Sequence, residues 1–427
     1  VKRGLLIRGG RVVDPSMPLD AVRDVRVADG IVTEIGVDLL PADGEEIFDA
    51  TNAFVAPGFI DMHVHLREPG YPEKETIATG TEAAVRGGFT AVACMPNTNP
   101  ALDTPEVLAA LALEIERSAR CRVYPIAAIT RAREGREPCD LAALSRAGAV
   151  AFSDDGNSVM NARVLRDAAL RGSGVRGPFI SHCEDEDIKG NAVMNEGNVS
   201  RALGVPGSPA VAEDVIVARD LLIASDTRKA WHVAHVSTRG GLELVRTGRV
   251  HGAQATCEVT PHHLTFTDEA VARLGPAAKV NPPLRGSYDI RALRDAVRDG
   301  TIDAFATDHA PHTAAEKSGD LASAAVGFTG LEIAVGAYAG ALPDLPPLRF
   351  VELLSTSPAR ILRIPGGSLA PGSVADITIF ADRPWRVEPE RFASKGKCTP
   401  FAGHTLPRRA IGTIVGGEVF YRAPDNA

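Results

Sequence analysis

Two hydrophobic rhythms alternate along the chain. Short apolar runs bounded by Gly, Asp and Pro read as strands, and stretches with apolar residues every three or four positions read as helices. Residues 1–55 hold only the first kind, at Gly4–Ile7, Val12–Val13, Asp24–Ala28, Ile31–Ile35 and Glu46–Asp49. Runs of that kind return at Ala375–Phe380 and Ala410–Tyr421. The two ends of the chain are therefore expected to build one small β domain, a β-sandwich. Between them strands and helices take turns. Strands are predicted at Phe59–His65, Thr90–Met95, Val123–Ile129, Val150–Asp155, Phe179–Cys183, Trp231–Val236, Ala255–Val259 and Ile302–Asp308. Helices are predicted at Glu75–Arg86, Pro105–Arg117, Ala162–Arg171, Ala212–Ala224 and Tyr288–Asp299. Eight such strands over about 300 residues predict an α/β fold, a (β/α)8 TIM-type barrel. An open doubly wound sheet competes, but no G-x-G-x-x-G turn follows an early strand. The expected division is 1–55 and 366–427 for the β domain and 56–365 for the barrel. Within Leu353–Leu362, Ser357 is placed to cap a helix with Pro358 in its first turn.

Composition narrows the class. With 427 residues, 44% of them hydrophobic and 23% charged, a large core is available and disorder is not expected. A net charge of −8 with no basic cluster argues against a nucleic-acid surface. No apolar run approaches bilayer length, and the first residues lack a signal-peptide h-region. The six cysteines are scattered without a C-x-x-C pair, which suits reduced thiols and a cytoplasmic enzyme.

Barrel enzymes gather their chemistry at the C-terminal strand ends. Here those ends carry His63 and His65 on the first strand, Asp154-Asp155 on the fourth, His182 on the fifth, His235 on the sixth and Asp308 on the eighth. Imidazole is the commonest zinc-binding side chain, and residues two apart on a strand share a face. Four histidines and two carboxylates overfill one tetrahedral site and suit two ions about 3.5–4 Å apart that share a carboxylate.

These motifs resemble the amidohydrolase superfamily and, within it, the class I dihydroorotases of pyrimidine biosynthesis. The likeness rests on His63-Val-His-Leu-Arg-Glu-Pro-Gly70, Met95-Pro-Asn-Thr98, Ser153-Asp-Asp-Gly156, Ser181-His-Cys-Glu184, Thr260-Pro-His-His-Leu264 and Thr307-Asp-His-Ala-Pro-His312. It implies reversible interconversion of N-carbamoyl-L-aspartate and L-dihydroorotate, with one or two Zn2+ per subunit. Carried over by motif, the metal ligands are His63, His65, Asp155, His182, His235 and Asp308, with Asp154 as the alternative to Asp155. The resemblance assigns substrate binding to Arg67, Asn97, Asn281 and His312, with main-chain groups at Val326 and Gly327 reading the ring amide. It also implies a homo-oligomer and an aspartate transcarbamoylase complex, with no nucleic acid or membrane partner. Two departures stand out. Hydantoinases bridge their metals with a carboxylated lysine at the end of strand four, but this chain has no lysine between Lys74 and Lys189. Ala325-Val326-Gly327 stands where relatives commonly read Pro-Phe-Gly. An allantoinase, a hydantoinase and a non-catalytic transcarbamoylase scaffold are the rival readings.

A ring-opening hydrolase needs an activated water, a polarised carbonyl and a proton for the leaving nitrogen. A zinc ion supplies the first two, and Asp308 is the expected proton shuttle. Arg67 offers a planar fork for the carboxylate that dihydroorotate carries; a salt bridge to Glu68 is its blander alternative. His262 and His263 are expected in supporting or packing roles, Cys183 as an apolar filler, and His232, His251 and His404 as structural or solvent-facing. Thr313–Ala325, rich in small residues, is either a mobile lid or a static loop.

Overall fold

The first strand pattern builds a curled sheet from both ends of the chain. The computed structural model describes residues 4–424. Five strands come first: β1 (Leu5–Asp14), β2 (Leu19–Ala28), β3 (Ile31–Gly36), β4 (Glu46–Asp49) and β5 (Phe54–Pro57). Two short predicted strands are in fact one, β1, which continues through a bulge between Ile7 and Gly10 instead of stopping at the glycines. Gly9 takes φ +69° there, and a Cβ on Gly10 would lie 2.4 Å from Val55. The bulge lets β1 pair in parallel with β4 through its first half and with β5 through its second.

The barrel strands follow: β6 (Phe59–Val64), β7 (Phe89–Cys94), β8 (Arg122–Ala127), β9 (Ala151–Phe152) and β10 (Phe179–Ser181). A two-residue ladder, β11 (Met194–Asn195) with β12 (Gly207–Ser208), interrupts the series before β13 (Trp231–Val233), β14 (Ala255–Val259) and β15 (Ala304–Phe305). The eight barrel strands are hydrogen-bonded in chain order. A bridge between Val64 and His309 closes the ring, with the His65 amide donating to the His309 carbonyl at 2.8 Å. Met62, Ala93, Ile126, Ala151, Ile180, Ala234 and Ala304, on or next to seven of the eight barrel strands, meet in one cluster. Only the barrel interior brings them together. The second rhythm gives the outer helices, and Thr76, Thr104, Asn161 and Thr238 cap them by accepting from amides in their first turns.

The chain then returns to the sheet through β16 (Ile377–Ala381), makes the short hairpin pair β17 (Trp385–Arg386) and β18 (Thr405–Leu406), and ends with β19 (Arg409–Val415) and β20 (Glu418–Arg422). The sheet order is β20-β19-β16-β5-β1-β2-β3, with β4 on β1. Ile7, Val25, Val32, Phe48, Val55, Ile377 and Ile414 share its separate core. One expectation fails. Ser357 does not cap a helix, because Pro347–Val351 runs through a π-helical turn (Glu352–Thr356) into Ser357–Leu362 without a break. The Ser357 hydroxyl instead accepts from Arg360 at 3.2 Å. No described helix is long and apolar enough to cross a membrane, and all six cysteines are free.

Candidate active site

Most barrel strands end earlier than the periodicity suggests, and the polar residues sit on the extended tails just beyond them. Three tail residues adopt left-handed backbone: Arg67 (φ +63°), His235 (φ +32°) and Asp308 (φ +51°). Such conformations cost roughly 1–3 kcal/mol each and persist where the surroundings fix them. Here hydrogen bonds between tails do so. Buried Asp61 accepts from the His63 amide at 3.0 Å and from the Thr307 hydroxyl at 2.5 Å, which ties the first tail to the eighth.

Asp155 lies at the centre of the resulting cluster. Its Oδ1 is 3.3 Å from His63 Nε2, 3.7 Å from His182 Nδ1 and 3.8 Å from His235 Nε2, and its Oδ2 is 3.6 Å from His65 Nε2. Two groups that could hold an ion share this carboxylate: His63, His65 and Asp155, and Asp155, His182 and His235. Asp308 Oδ1 stands 3.2 Å from His65 Nε2 and 3.6 Å from His63 Nε2. Asp154 points elsewhere and accepts from the amides of Ile129 and Thr130 at 2.9 and 3.0 Å. The residues fit a cation. His63 Nε2 and Asp155 Oδ1 are buried without a hydrogen-bond partner, a cost that a shared ion removes. Imidazole nitrogens with carboxylate oxygens are the donor set of zinc and related divalent metals.

Carboxylates behind the histidines orient them. His63 Nδ1 donates to Glu258 at 2.8 Å, which turns Nε2 toward Asp155, and His232 Nε2 meets the other Glu258 oxygen at 3.1 Å. Burial opposes charge on Glu258, but His63 and His232 hold its carboxyl down at about 2. Burial likewise opposes charge on Asp155 and Asp308, yet the surrounding histidines keep both below the usual carboxylate range. His65 Nδ1 is 2.8 Å from Asn97 Oδ1, and His182 Nε2 is 3.0 Å from Glu184.

Above the cluster lies a cavity of about 150 Å³, lined by His65, Arg67, Asn97, Asp155, His182, His235, Asn281, Asp308, His312, Val326 and Gly327, together with Gly156 and Ala310. At about 10–15 Å³ of such space per water, it has room for a small molecule. His63 lies beneath it. Arg67 is 9% exposed and pairs with no carboxylate among the described residues; its Nε donates to the Pro311 carbonyl at 3.2 Å, and its Nη2 lies 3.1 Å from His312 Nε2. Glu68, its alternative partner, accepts from the Ile77 amide at 2.7 Å. Burial and the adjacent Arg67 lower His312 to about 4, so the imidazole is neutral at pH 7.

Family models match both halves of the chain: one described as dihydro-orotase-like over residues 53–241, and one described as amidohydrolase family over residues 229–421. A dihydroorotase from Pelotomaculum thermopropionicum is 50% identical over 97% of this chain and 98% of its own length. The chain belongs to the dihydroorotase family. A second relative named dihydroorotase, from Syntrophus aciditrophicus, is 44% identical over 98% of this chain and 99% of its own. Among solved structures, an L-hydantoinase (dihydropyrimidinase) from Arthrobacter aurescens superposes with a TM-score of 0.87 at 24% identity, covering 98% of this chain and 96% of that one. At that identity the likeness speaks to fold alone.

Several supports of this dihydroorotase-family site escape a reading of the strand ends. Glu258 lies inside a strand, and its partner His63 is 195 positions away. Glu184 and Lys189 follow His182 but join the site only through side-chain contacts. A carboxylate within a buried apolar strand was the available signal for Glu258, since such a group needs a charged partner. His262 and His263 are buried beside Phe328 and the Pro282 carbonyl, Cys183 is in the apolar core, and His232 is held between Thr256 and Glu258. The segment that could form a lid is tied down. Lys279 Nζ donates to the carbonyls of Leu321, Ala322 and Ala324, and Lys317 Nζ to those of Ala325 and Gly327.

Proposed function

We propose that the chain is a zinc-dependent dihydroorotase that interconverts N-carbamoyl-L-aspartate and L-dihydroorotate, with the chemistry carried by the barrel segment 56–365. The observation that carries this reading is Arg67, a nearly buried guanidinium without an anionic partner, in the same small cavity as the histidine–aspartate cluster. Dihydroorotate brings the missing carboxylate; allantoin and dihydrouracil do not. The absence of any lysine between Lys74 and Lys189 separates the site from the lysine-bridged hydantoinase arrangement.

His63, His65, Asp155, His182, His235 and Asp308 would hold one or two Zn2+ ions, which would lower the pKa of a water and polarise the scissile carbonyl. The protein's own residues do the rest. Arg67 takes the substrate carboxylate, flanked by His312 and Asn281. Main-chain groups at Val326 and Gly327 face the ring amide. Asp308 accepts the proton that the attacking water sheds as the new C–O bond forms, and returns it to the ring nitrogen as the C–N bond breaks. The neighbouring histidines keep its carboxyl ionised.

Side-by-side assays with dihydroorotate, N-carbamoyl-L-aspartate, allantoin and dihydrouracil, alongside metal analysis, test the reading. The dihydroorotate pair should be turned over, and zinc should be present. Preferential turnover of allantoin or dihydrouracil would overturn it. A homo-oligomer and a complex with an aspartate transcarbamoylase belong to the same proposal, tested by the mass of the purified protein alone and after mixing with that partner.

A further inference from the structure

Lys189 ends the single turn Glu186–Lys189 and joins two parts of the site that are distant in sequence. Its side chain is 10% exposed, and its ammonium donates to Glu184 Oε2 at 2.7 Å. It also lies 3.0 Å from the Asn281 side-chain oxygen when that amide donates its NH2 to the Val280 carbonyl. The opposite orientation would set NH2 against NH3+, donor against donor, so chemistry fixes the amide. Glu184 has a fully buried side chain and accepts from His182 Nε2 at 3.0 Å. A carboxylate can only accept, so Nε2 carries the proton and Nδ1 presents its lone pair to the cluster. His63 and His65 are held through Nδ1 and turn Nε2 inward; His182 is turned the other way, and the carboxylate doing this is partnered by Lys189.

We propose that Lys189 is a positioning residue that sets both the His182 imidazole, through Glu184, and the Asn281 amide that lines the substrate cavity. It lines no part of the cavity and lies outside the ion-holding groups. Two of its three N–H bonds serve these two groups, and its charge offsets that of buried Glu184. Lys189 and His182 share Glu184 Oε2, while Oε1 is buried without a partner; without Lys189 the buried carboxylate keeps His182 alone, and Asn281 loses its anchor. The inference deepens the dihydroorotase reading and rests on it for the substrate half.

The test combines Lys189→Met, Lys189→Arg and Asn281→Ala. Zinc retention is read by competition with a chelator, and kcat and KM are read with dihydroorotate. Removing a group that orients a ligand costs about 10–100-fold in metal affinity, so Lys189→Met should lose zinc retention by that factor. Its KM should rise about tenfold with a smaller change in kcat. Lys189→Arg should restore zinc retention. In the Asn281→Ala background, Lys189→Met should add no further rise in KM. Parent-like zinc retention and KM in Lys189→Met would overturn the proposal, as would KM effects that simply multiply. Should Lys189→Met not fold, Glu184→Ala cuts the same link and should show the zinc loss; unchanged retention there overturns the proposal too. A parent chain inert toward dihydroorotate would defeat the functional reading, while the zinc measurements would still decide the role of Lys189.

Discussion

Arg67 is held in place without being neutralised. A carbonyl and a neutral imidazole fix its guanidinium, and the nearest acid in sequence caps a helix instead. A charge-assisted hydrogen bond is worth about 1.5–3 kcal/mol, so Arg67→Ala should lower kcat/KM for dihydroorotate by one to two decades. Unchanged kcat/KM would remove the specificity argument. Asp308 is the proposed proton shuttle. Asp308→Ala should reduce kcat by about 10²–10⁴-fold in both directions, measured with metal content matched to the parent; near-normal turnover would refute the proton shuttle. At this scale the sequence is readable where a polar residue terminates an apolar run, as for His63, His65, His182, His235 and Asp308. It is unreadable where the partner is distant. A carboxylate in an apolar strand marks Glu258 as needing a partner but does not name His63, and nothing in the sequence ties Lys189 to Asn281.

Elements were legible to the extent that local chemistry sets them. Ala162–Arg171 appears with its predicted limits because Asn161 caps one end and Gly172 follows the other. The predicted strand Ile302–Asp308 shrinks to Ala304–Phe305 because its tail bends inward, ending in left-handed Asp308. Periodicity registers apolar residues, not where ladder pairing stops. Thr313–Ala325 shows a related limit: its small residues left a mobile lid and a static loop both open, and two lysines bind five carbonyls between Leu321 and Gly327. Gly327 matters most in it. Its φ is +101°, and a Cβ would lie 2.5 Å from the Ala310 Cβ, beside the cavity. Gly327→Ala should cost roughly 1–3 kcal/mol through strain and overlap, seen as a lower melting temperature together with a higher KM for dihydroorotate. A parent-like KM with normal stability would show that this backbone does not shape the site.

On the scale of the whole molecule, the C-terminal segment is locked to the barrel by polar contacts. Arg122 pairs with Asp376 at 2.6 Å, and the Thr378 hydroxyl donates to the Gly88 carbonyl at 2.6 Å. Further along, the segment carrying Ala393 and Ser394 docks on two barrel carboxylates. Ser394 donates to Glu75, and the Ala393 amide donates to Glu332 at 3.0 Å. Burial raises the Glu332 carboxyl from 4.5 to about 7, against the pull of these amides and of Arg86. The folded protein thus holds this proton more tightly than the unfolded chain. Stability from the protonated form is fully present below about pH 4.5 and is lost as pH rises through 7. With partial exposure of Glu332 to solvent, the loss is about 1–2 kcal/mol. Glu332→Gln keeps an oxygen for the amides but cannot ionise. Its melting temperature relative to the parent should therefore climb between pH 5 and pH 8, on the order of 1–3 °C. A difference independent of pH would mean that Glu332 does not titrate within the dock.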